Sequence, residues 1–248
     1  MPPVTPPTIV IIGGGFSGTL TAVHLLRRGF GASGHLVLVN RSGAMARGVA
    51  YGTTSDVHVL NVPAGRMSAF EDDPDSFVRF VRERGVTIDG MPVDGGTFVG
   101  RHLYGAYLES LLTDACAQAP EGCVERLNTE VVAIEPEHDH DGAAAWVSLR
   151  DGRRIRAARV VLAVGNYPPE DPPVDCDGFF TSSRYVRDPW SHGAFDRLDL
   201  EAPILLVGTG LTMVDVALQL QALGAAAAMT AVSRRGLLPA SHRSPAHV

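Results

Sequence analysis

Three glycines, Gly13, Gly15 and Gly18, stand in the order G-x-G-x-x-G within Gly13-Gly14-Gly15-Phe16-Ser17-Gly18. That spacing suits a pyrophosphate. The first glycine permits a tight turn, the second lets the phosphates reach the backbone, and the third lets a helix pack closely on a strand. The N–H groups of the turn, with those of Phe16 and Ser17, face the anion, and the partial positive charge of a helix N-terminus favours it. The alternative is a glycine turn that only packs. About 20 residues further on, an acidic residue usually takes the ribose hydroxyls. This chain has Asn40 there, followed by Arg41. An amide can hydrogen-bond a ribose, but without the charge-assisted strength of a carboxylate.

A second turn, Gly208-Thr209-Gly210-Leu211-Thr212-Met213, repeats the arrangement. Gly208, Gly210 and Thr212 are its candidate phosphate ligands. Met213 takes the place of the third glycine, so a closely packed helix is not expected there. Further on come Arg234 and Arg235. Guanidinium groups at this position match a 2′-phosphate, which points to NADP over NAD; a solvated arginine pair is the alternative. The run His138-Asp139-His140-Asp141 collects metal-ligand types. With no distant third ligand marked it reads as a solvated hairpin loop, and no metal is expected.

All 21 basic residues are arginine. Within this chain a Schiff-base lysine, a P-loop lysine and a lysine base are therefore excluded. Ser17 belongs to the phosphate turn and has no nucleophile elbow around it. No side chain is marked as a catalytic acid, base or nucleophile. Cys116, Cys123 and Cys176 form no C-x-x-C, and three free thiols fit a reducing cytoplasm.

The elements that must position these residues are legible around both turns. Residues 8–13 (TIVIIG) form a continuous β-branched run, as a strand buried on both faces does. A helix is expected from Thr19 to Arg28, ending at Gly29, and a second strand at 35–40. Strand, glycine turn, helix and strand make one βαβ unit. From 41 to 100 the chain is irregular, with a helix expected at Pro74–Arg84 opened by Asp73. A long helix follows at Val99–Gln118, its apolar face read as Leu103, Tyr107, Leu108, Leu111 and Leu112. Short strands are expected near 124–127, 131–135, 146–149 and 154–156, with Asp151-Gly152 as a hairpin signal, then a buried strand at 159–164. Tyr167 to Pro173 reads as a linker. The βαβ pattern restarts with a strand at 203–207, a helix at 212–223 and a strand at 229–232.

Length and composition bound the rest. The 248 residues are 45% hydrophobic and 19% charged, enough for a buried core. A net charge of -6 argues against a nucleic-acid or anionic-membrane surface. No apolar run reaches the ~20 residues of a membrane span. The N-terminus lacks the order of a signal peptide.

At this point the residues resemble a family. The segments IIGGGFSG, RGVAYGT (47–53), HVLNVPAGRMS (58–68), RHLYGAYL (101–108), VVLAVGNYPP (160–169) and VGTGLTMVDVAL (207–218) look like those of FAD/NAD(P)-binding proteins. More narrowly, they are similar to the group containing the flavin-dependent urate hydroxylase and the aspartate N-monooxygenase. The resemblance implies an α/β fold: a doubly wound, Rossmann-like FAD-binding domain over residues 1–200, then the start of an NAD(P)-binding Rossmann unit at 201–248. It implies FAD on Gly13, Gly15, Phe16, Ser17 and Gly18, with Asn40 at the ribose, the Val131 backbone at adenine and Gly165 close to the flavin. It places Asn61, Met67 and Arg101 on the isoalloxazine side; a surface charge at a helix N-terminus is the alternative for Arg101. For Trp190, in YVRDPW, core packing is the preferred reading.

The activity so implied is that of a flavin monooxygenase. NADPH reduces the flavin by hydride transfer, and the reduced flavin activates oxygen to hydroxylate a small, polar, nitrogen-containing molecule. Two strands and a helix at 203–232 are less than a domain. The sequence-level expectation is therefore an incomplete second unit, with a homo-oligomer or another partner supplying the missing part, or a nucleotide-binding fragment with no complete substrate site.

Overall fold

A computed structural model of the chain describes residues 6–139, 142–176 and 178–241. In chain order the regular elements are β1 (Thr8–Ile12), α1 (Phe16–Arg27), β2 (His35–Val39), α2 (Gly48–Tyr51), α3 (Ser76–Glu83), β3 (Thr87–Ile88), β4 (Met91–Pro92), α4 (Arg101–Gln118) and β5 (Val124–Leu127). There follow β6 (Val131–Asp139), β7 (Gly142–Leu149), β8 (Arg154–Ala157), β9 (Arg159–Leu162), β10 (Ile204–Val207), α5 (Leu211–Ala222) and β11 (Met229–Val232). The architecture is α/β and Rossmann-like, with parallel sheets. The chain divides into two compact units, each built from two stretches: 1–52 with 102–166, and 53–101 with 167–248.

The first unit holds a four-stranded sheet in the order β5-β2-β1-β9, parallel throughout. Alternation along β1 and β2 explains its two faces. Ile11 lies on the α1 side, and a Cβ at Gly18 of α1 would sit 3.2 Å from its side chain. Val10, Val37 and Val39 point the other way and pack with Leu127, Val147, Leu149 and Ala157. The last three come from β7 and β8 of the antiparallel sheet β6-β7-β8, which covers that face. Burying each such aliphatic side chain contributes about 1.5–3 kcal/mol. The hairpin signal at Asp151-Gly152 is realised between β7 and β8, with Gly152 at φ +91°.

In α4 the buried stripe is Tyr104, Tyr107, Leu108, Leu112 and Ala115, spaced three and four apart. Leu103 and Leu111, expected on that face, are only half-buried. The sequence offers apolar residues on more than one side of this helix, and packing selects among them.

The second unit repeats the βαβ theme on a smaller scale. β10 and β11 pair in parallel, from Ile204↔Met229 to Val207↔Val232. Val216 and Leu220 of α5 pack with Phe195, Ile204, Leu206 and Met229 into a second core. The 53–101 stretch holds the expected helix as α3 and, beyond what the sequence promised, the two-residue strands β3 and β4. Asp89 (φ +51°) and Gly90 (φ +76°) make the turn between those strands. α3 begins at Ser76, two residues later than expected, and carries no side-chain cap. Asp73 instead pairs its carboxylate with Arg79 at 2.5 Å, and its carbonyl accepts from Ser68 Oγ at 2.6 Å. No described helix is long and apolar enough to cross a membrane.

Candidate functional site

The first glycine turn is shaped by backbone crowding. Gly13 has φ +107°, a region that L side chains rarely adopt. Its N–H donates to the carbonyl of Val39 at 2.8 Å, tying the turn to the end of β2. A Cβ on Gly13 would collide with the carbonyl of Ala163, just past β9, and one on Gly18 would collide with the carbonyl of Gly13. Gly15 is the N-cap of α1, and no acidic residue occupies that helix's first turn. The N–H groups of the first turn, including those of Phe16, Ser17 and Gly18, have no intrahelical partner, as at every helix start. With no acidic residue in that first turn, these N–H groups and the helix dipole suit an anion.

A loop closes over this turn. Ala46 donates its N–H to the carbonyl of Gly14 at 2.7 Å. Ala46 is itself fully buried and holds φ +80°, an uncommon conformation for alanine. Gly48 follows, and a Cβ there would lie 3.3 Å from Gly15 Cα. The Arg47 guanidinium donates two hydrogen bonds to Glu109 of α4, at 2.7 and 2.8 Å. The Arg47 hydrogen bond and charge hold the Glu109 carboxyl below its usual range. Tyr51 rests 4.7 Å from Tyr104 and 5.8 Å from Phe16, centroid to centroid. Burial pushes the Tyr104 hydroxyl well above the ordinary tyrosine range, so it stays protonated.

Of the residues named from sequence, nine lie in this unit: Gly13, Gly15, Phe16, Ser17, Gly18, Asn40, Arg41, Val131 and Gly165. Arg41 is exposed just after β2, and Val131 opens β6. Gly165 has φ +74° and no atom within 4 Å of where a Cβ would stand.

The remaining eight lie in the second unit. Gly208 reproduces the first glycine's geometry, with φ +110° and its N–H donated to Val232 at 2.8 Å. Gly210 caps α5, whose first turn again holds no acidic residue, and Thr212 is its second residue. Arg234 and Arg235 are exposed beyond β11. Met67 follows a short 3-10 turn at Ala64–Arg66.

Arg101 and Asn61 come together, and they bring residues that sequence reasoning did not connect. The Arg101 guanidinium donates to Val59 O at 2.9 Å and Asn61 Oδ1 at 3.0 Å, and pairs with Asp215 of α5 at 2.8 Å. Arg101 is 8% exposed and Asp215 7%, so the surface-charge reading of Arg101 does not hold. Trp190 supplies a ring 5.8 Å from the guanidinium carbon and 5.3 Å from the His58 ring. His58, also buried, shares a 2.7 Å hydrogen bond with Thr53. Burial pushes the His58 pKa down; Asp215 opposes this and Arg101 adds to it. Asp215 is the fifth residue of α5. Its partner lies over a hundred residues away, and no local pattern announces such a pair.

Comparison with known proteins adds a family. The profile of the FAD-NAD(P)-binding family matches residues 10–167, well over half of the chain. The chain belongs to the FAD-NAD(P)-binding family. Solved structures resemble this FAD-NAD(P)-binding chain in fold. One is the Kutzneria sp. 744 ornithine N-hydroxylase with reduced FAD, NADP+ and L-ornithine (19% identity, TM-score 0.63, 91% of this chain and 52% of that one). A second is the reduced form of ornithine hydroxylase from Pseudomonas aeruginosa (15%, 0.61, 92% and 54%). A third is cyclohexanone monooxygenase from Rhodococcus sp. Phi1 bound to NADP+ (22%, 0.60, 93% and 39%). The chain thus spans between about two-fifths and about half of these structures' lengths. No curated protein matches the sequence. His140 and Asp141 of the acidic-histidine run lie outside the described residues.

Proposed function

We propose that this chain is the cofactor-binding part of an FAD-dependent, NADPH-using oxidoreductase of the flavin monooxygenase type. Its substrate in this reading is a small, polar, nitrogen-containing molecule, as for the flavin-dependent urate hydroxylase and aspartate N-monooxygenase group. The observation that carries the proposal is the duplicated turn. Gly13 and Gly208 hold φ +107° and φ +110°, and each turn leads into a helix with no acid in its first turn. Two such seats fit two dinucleotides. Membership of the FAD-NAD(P)-binding family supports FAD on the first. The exposed Arg234 and Arg235 support a 2′-phosphate at the second. The ornithine hydroxylases among the structural neighbours support an amine-bearing substrate.

The division of labour in this reading is residues 1–200 for FAD and 201–248 for NADPH. Gly15 leaves room for the pyrophosphate, the N–H groups of Phe16, Ser17 and Gly18 hold it, and Gly165 lets the chain pass close to the flavin. FAD and NADPH supply the redox chemistry when bound; the chain holds and orients them. The test is flavin retention and NADPH turnover. The purified chain reconstituted with FAD should show a bound-flavin spectrum that NADPH bleaches. A Cβ at Gly15 would meet only Gly48, its Cα at an ordinary 3.4 Å and its N at 4.0 Å. Gly15→Ala should therefore fold and still lose flavin, because its methyl group occupies the pyrophosphate's approach. Undiminished flavin in folded Gly15→Ala protein refutes the assignment of the first turn.

A further inference from the structure

The position at the end of β2 where an acid is expected is filled by Asn40, and its amide is already engaged. Asn40 Oδ1 accepts the N–H of Gly14 at 3.3 Å. Asn40 Nδ2 donates to Ser42 Oγ at 2.9 Å and to the carbonyl of Ala44. The orientation of the amide is fixed by chemistry. The Ala44 carbonyl offers only lone pairs and the Gly14 N–H only a hydrogen, so nitrogen must face the one and oxygen the other. Both amide hydrogens are spent. A carboxylate here would still accept from Gly14 and from the Ser42 hydroxyl, but it would set lone pairs against the Ala44 carbonyl.

We infer that Asn40 is a positioning residue that locks loop 41–46 against the first glycine turn, and that it is not the ligand of the ribose hydroxyls. This deepens the FAD reading of that turn and rests on it. Three further observations carry it. The backbone closes the same loop, with Gly43 N–H donating to Asn40 O at 3.3 Å and Ala46 N–H to Gly14 O at 2.7 Å. Gly14, a free position in the glycine pattern, is constrained here: a Cβ would lie 3.0 Å from Asn40 Cβ and 3.2 Å from Met45 Cγ. Ala46 is held buried at φ +80°, a conformation that needs its surroundings to enforce it.

The braced loop has a place to act. Gly43, Met45 and Ala46 form one wall of a cleft of about 420 Å³, whose other walls include Thr113, Arg126 and Asn128. It lies by the carboxyl ends of β2 and β5, where open α/β sheets receive ligands. Asn40 thereby fixes the loop that forms one wall of this cleft.

The experiment compares wild type, Asn40→Ala and Asn40→Asp in two assays. The first titrates each with FAD and with the FAD analogue lacking the adenosine 2′-hydroxyl. Both variants should weaken both ligands by a common factor of about tenfold, and the preference between the two ligands should stay at its wild-type value. Loss of that preference in Asn40→Ala, or tighter FAD binding by Asn40→Asp, would make Asn40 a ribose ligand and overturn the inference. The second assay is amide hydrogen exchange on the ligand-free chain. Exchange at Gly14 and Ala46 should speed up at least about tenfold in both variants, while Ile134 and Val147 of the antiparallel sheet keep wild-type rates. Unchanged exchange at the loop, or equal acceleration everywhere, overturns the positioning role. If the wild-type chain retains no FAD, the cofactor reading fails, and the exchange assay still decides the brace.

Discussion

In the first glycine turn, Gly13 sits at φ +107° and Gly15 caps its helix at φ -76°, ψ -162°; in the second, Gly208 sits at φ +110° and Gly210 caps at φ -82°, ψ -173°. Both first glycines donate to the last residue of the neighbouring parallel strand at 2.8 Å. The surroundings differ. At the first turn, backbone presses on backbone, and a methyl group at Gly13 or Gly18 would strike a carbonyl. At the second, a Cβ on Gly208 or Gly210 would meet nothing within 4 Å, and Met213 replaces the third glycine. There α5 is anchored by its buried Asp215 on Arg101. The same turn can thus be fixed by close packing or by an ion pair, and only close packing demands the third glycine.

The sharpest way to break this comparison is to remove the ion pair. Asp215→Ala leaves the Arg101 guanidinium buried without a counter-charge, which should cost about 3–5 kcal/mol. Trp146 reports on the first unit and Trp190 on the second. Urea unfolding followed through Trp190, in a Trp146→Phe background, should therefore show the loss; a cost below about 1 kcal/mol would mean that the ion pair is not the anchor.

Next in size is the glycine contrast. Gly18→Ala should destabilise the first unit by about 3 kcal/mol, because the carbonyl it meets is backbone and cannot turn aside. Gly210→Ala, with room around it and an ordinary φ, should stay within about 0.5 kcal/mol. Equal costs would erase the distinction between the turns. A smaller effect concerns ligand choice. Arg234→Ala combined with Arg235→Ala should reduce the NADPH over NADH preference by one to two decades, the worth of a charge-assisted phosphate contact of ~1.5–3 kcal/mol. An unchanged ratio would make the pair a solvated surface.

The smallest expected effect is in acid. Burial depresses the His58 pKa below its ordinary value, so the unfolded chain takes up the proton first. Stability from the neutral ring is complete above about pH 6.5 and is lost as the pH falls towards the folded value. His58→Gln should flatten that part of the Trp190-reported stability curve. A wild-type curve already flat as the pH falls from about 7 to about 5 would remove His58 from the account.

Local signals in the sequence went far. The run TIVII became β1, RVVL became β9 and MTAV became β11, since short runs rich in strand-forming residues and bounded by turns have few other uses, although Leu162 of β9, expected buried, is exposed. Both glycine turns lie between a strand and a helix, as their spacing placed them. What the sequence hid was long-range. Arg101 reads locally as the start of a helix, and only the fold reveals Asp215 beside it. Asn40 reads locally as a ribose ligand, and only the fold shows its amide donating to Ser42 and the Ala44 carbonyl. Within 53–101 the two-residue strands β3 and β4 are too short for alternation to show, although Asp89-Gly90 between them is an ordinary hairpin signal.

The interleaving of the two units has a consequence for how the protein is made. The central strand β1 pairs with β2 at once, through Ile9↔Leu36, but its other edge waits for β9, through Ile9↔Arg159. At roughly 5–20 residues per second of synthesis, that edge stays open for on the order of ten seconds. Ala163, whose carbonyl crowds Gly13, emerges just as late. Until then the nascent chain carries an apolar strand with unpaired N–H and carbonyl groups, a template for pairing with other chains. Yield in a host should therefore depend on chaperone supply during translation of residues 40–162, more than on the stability of the finished fold.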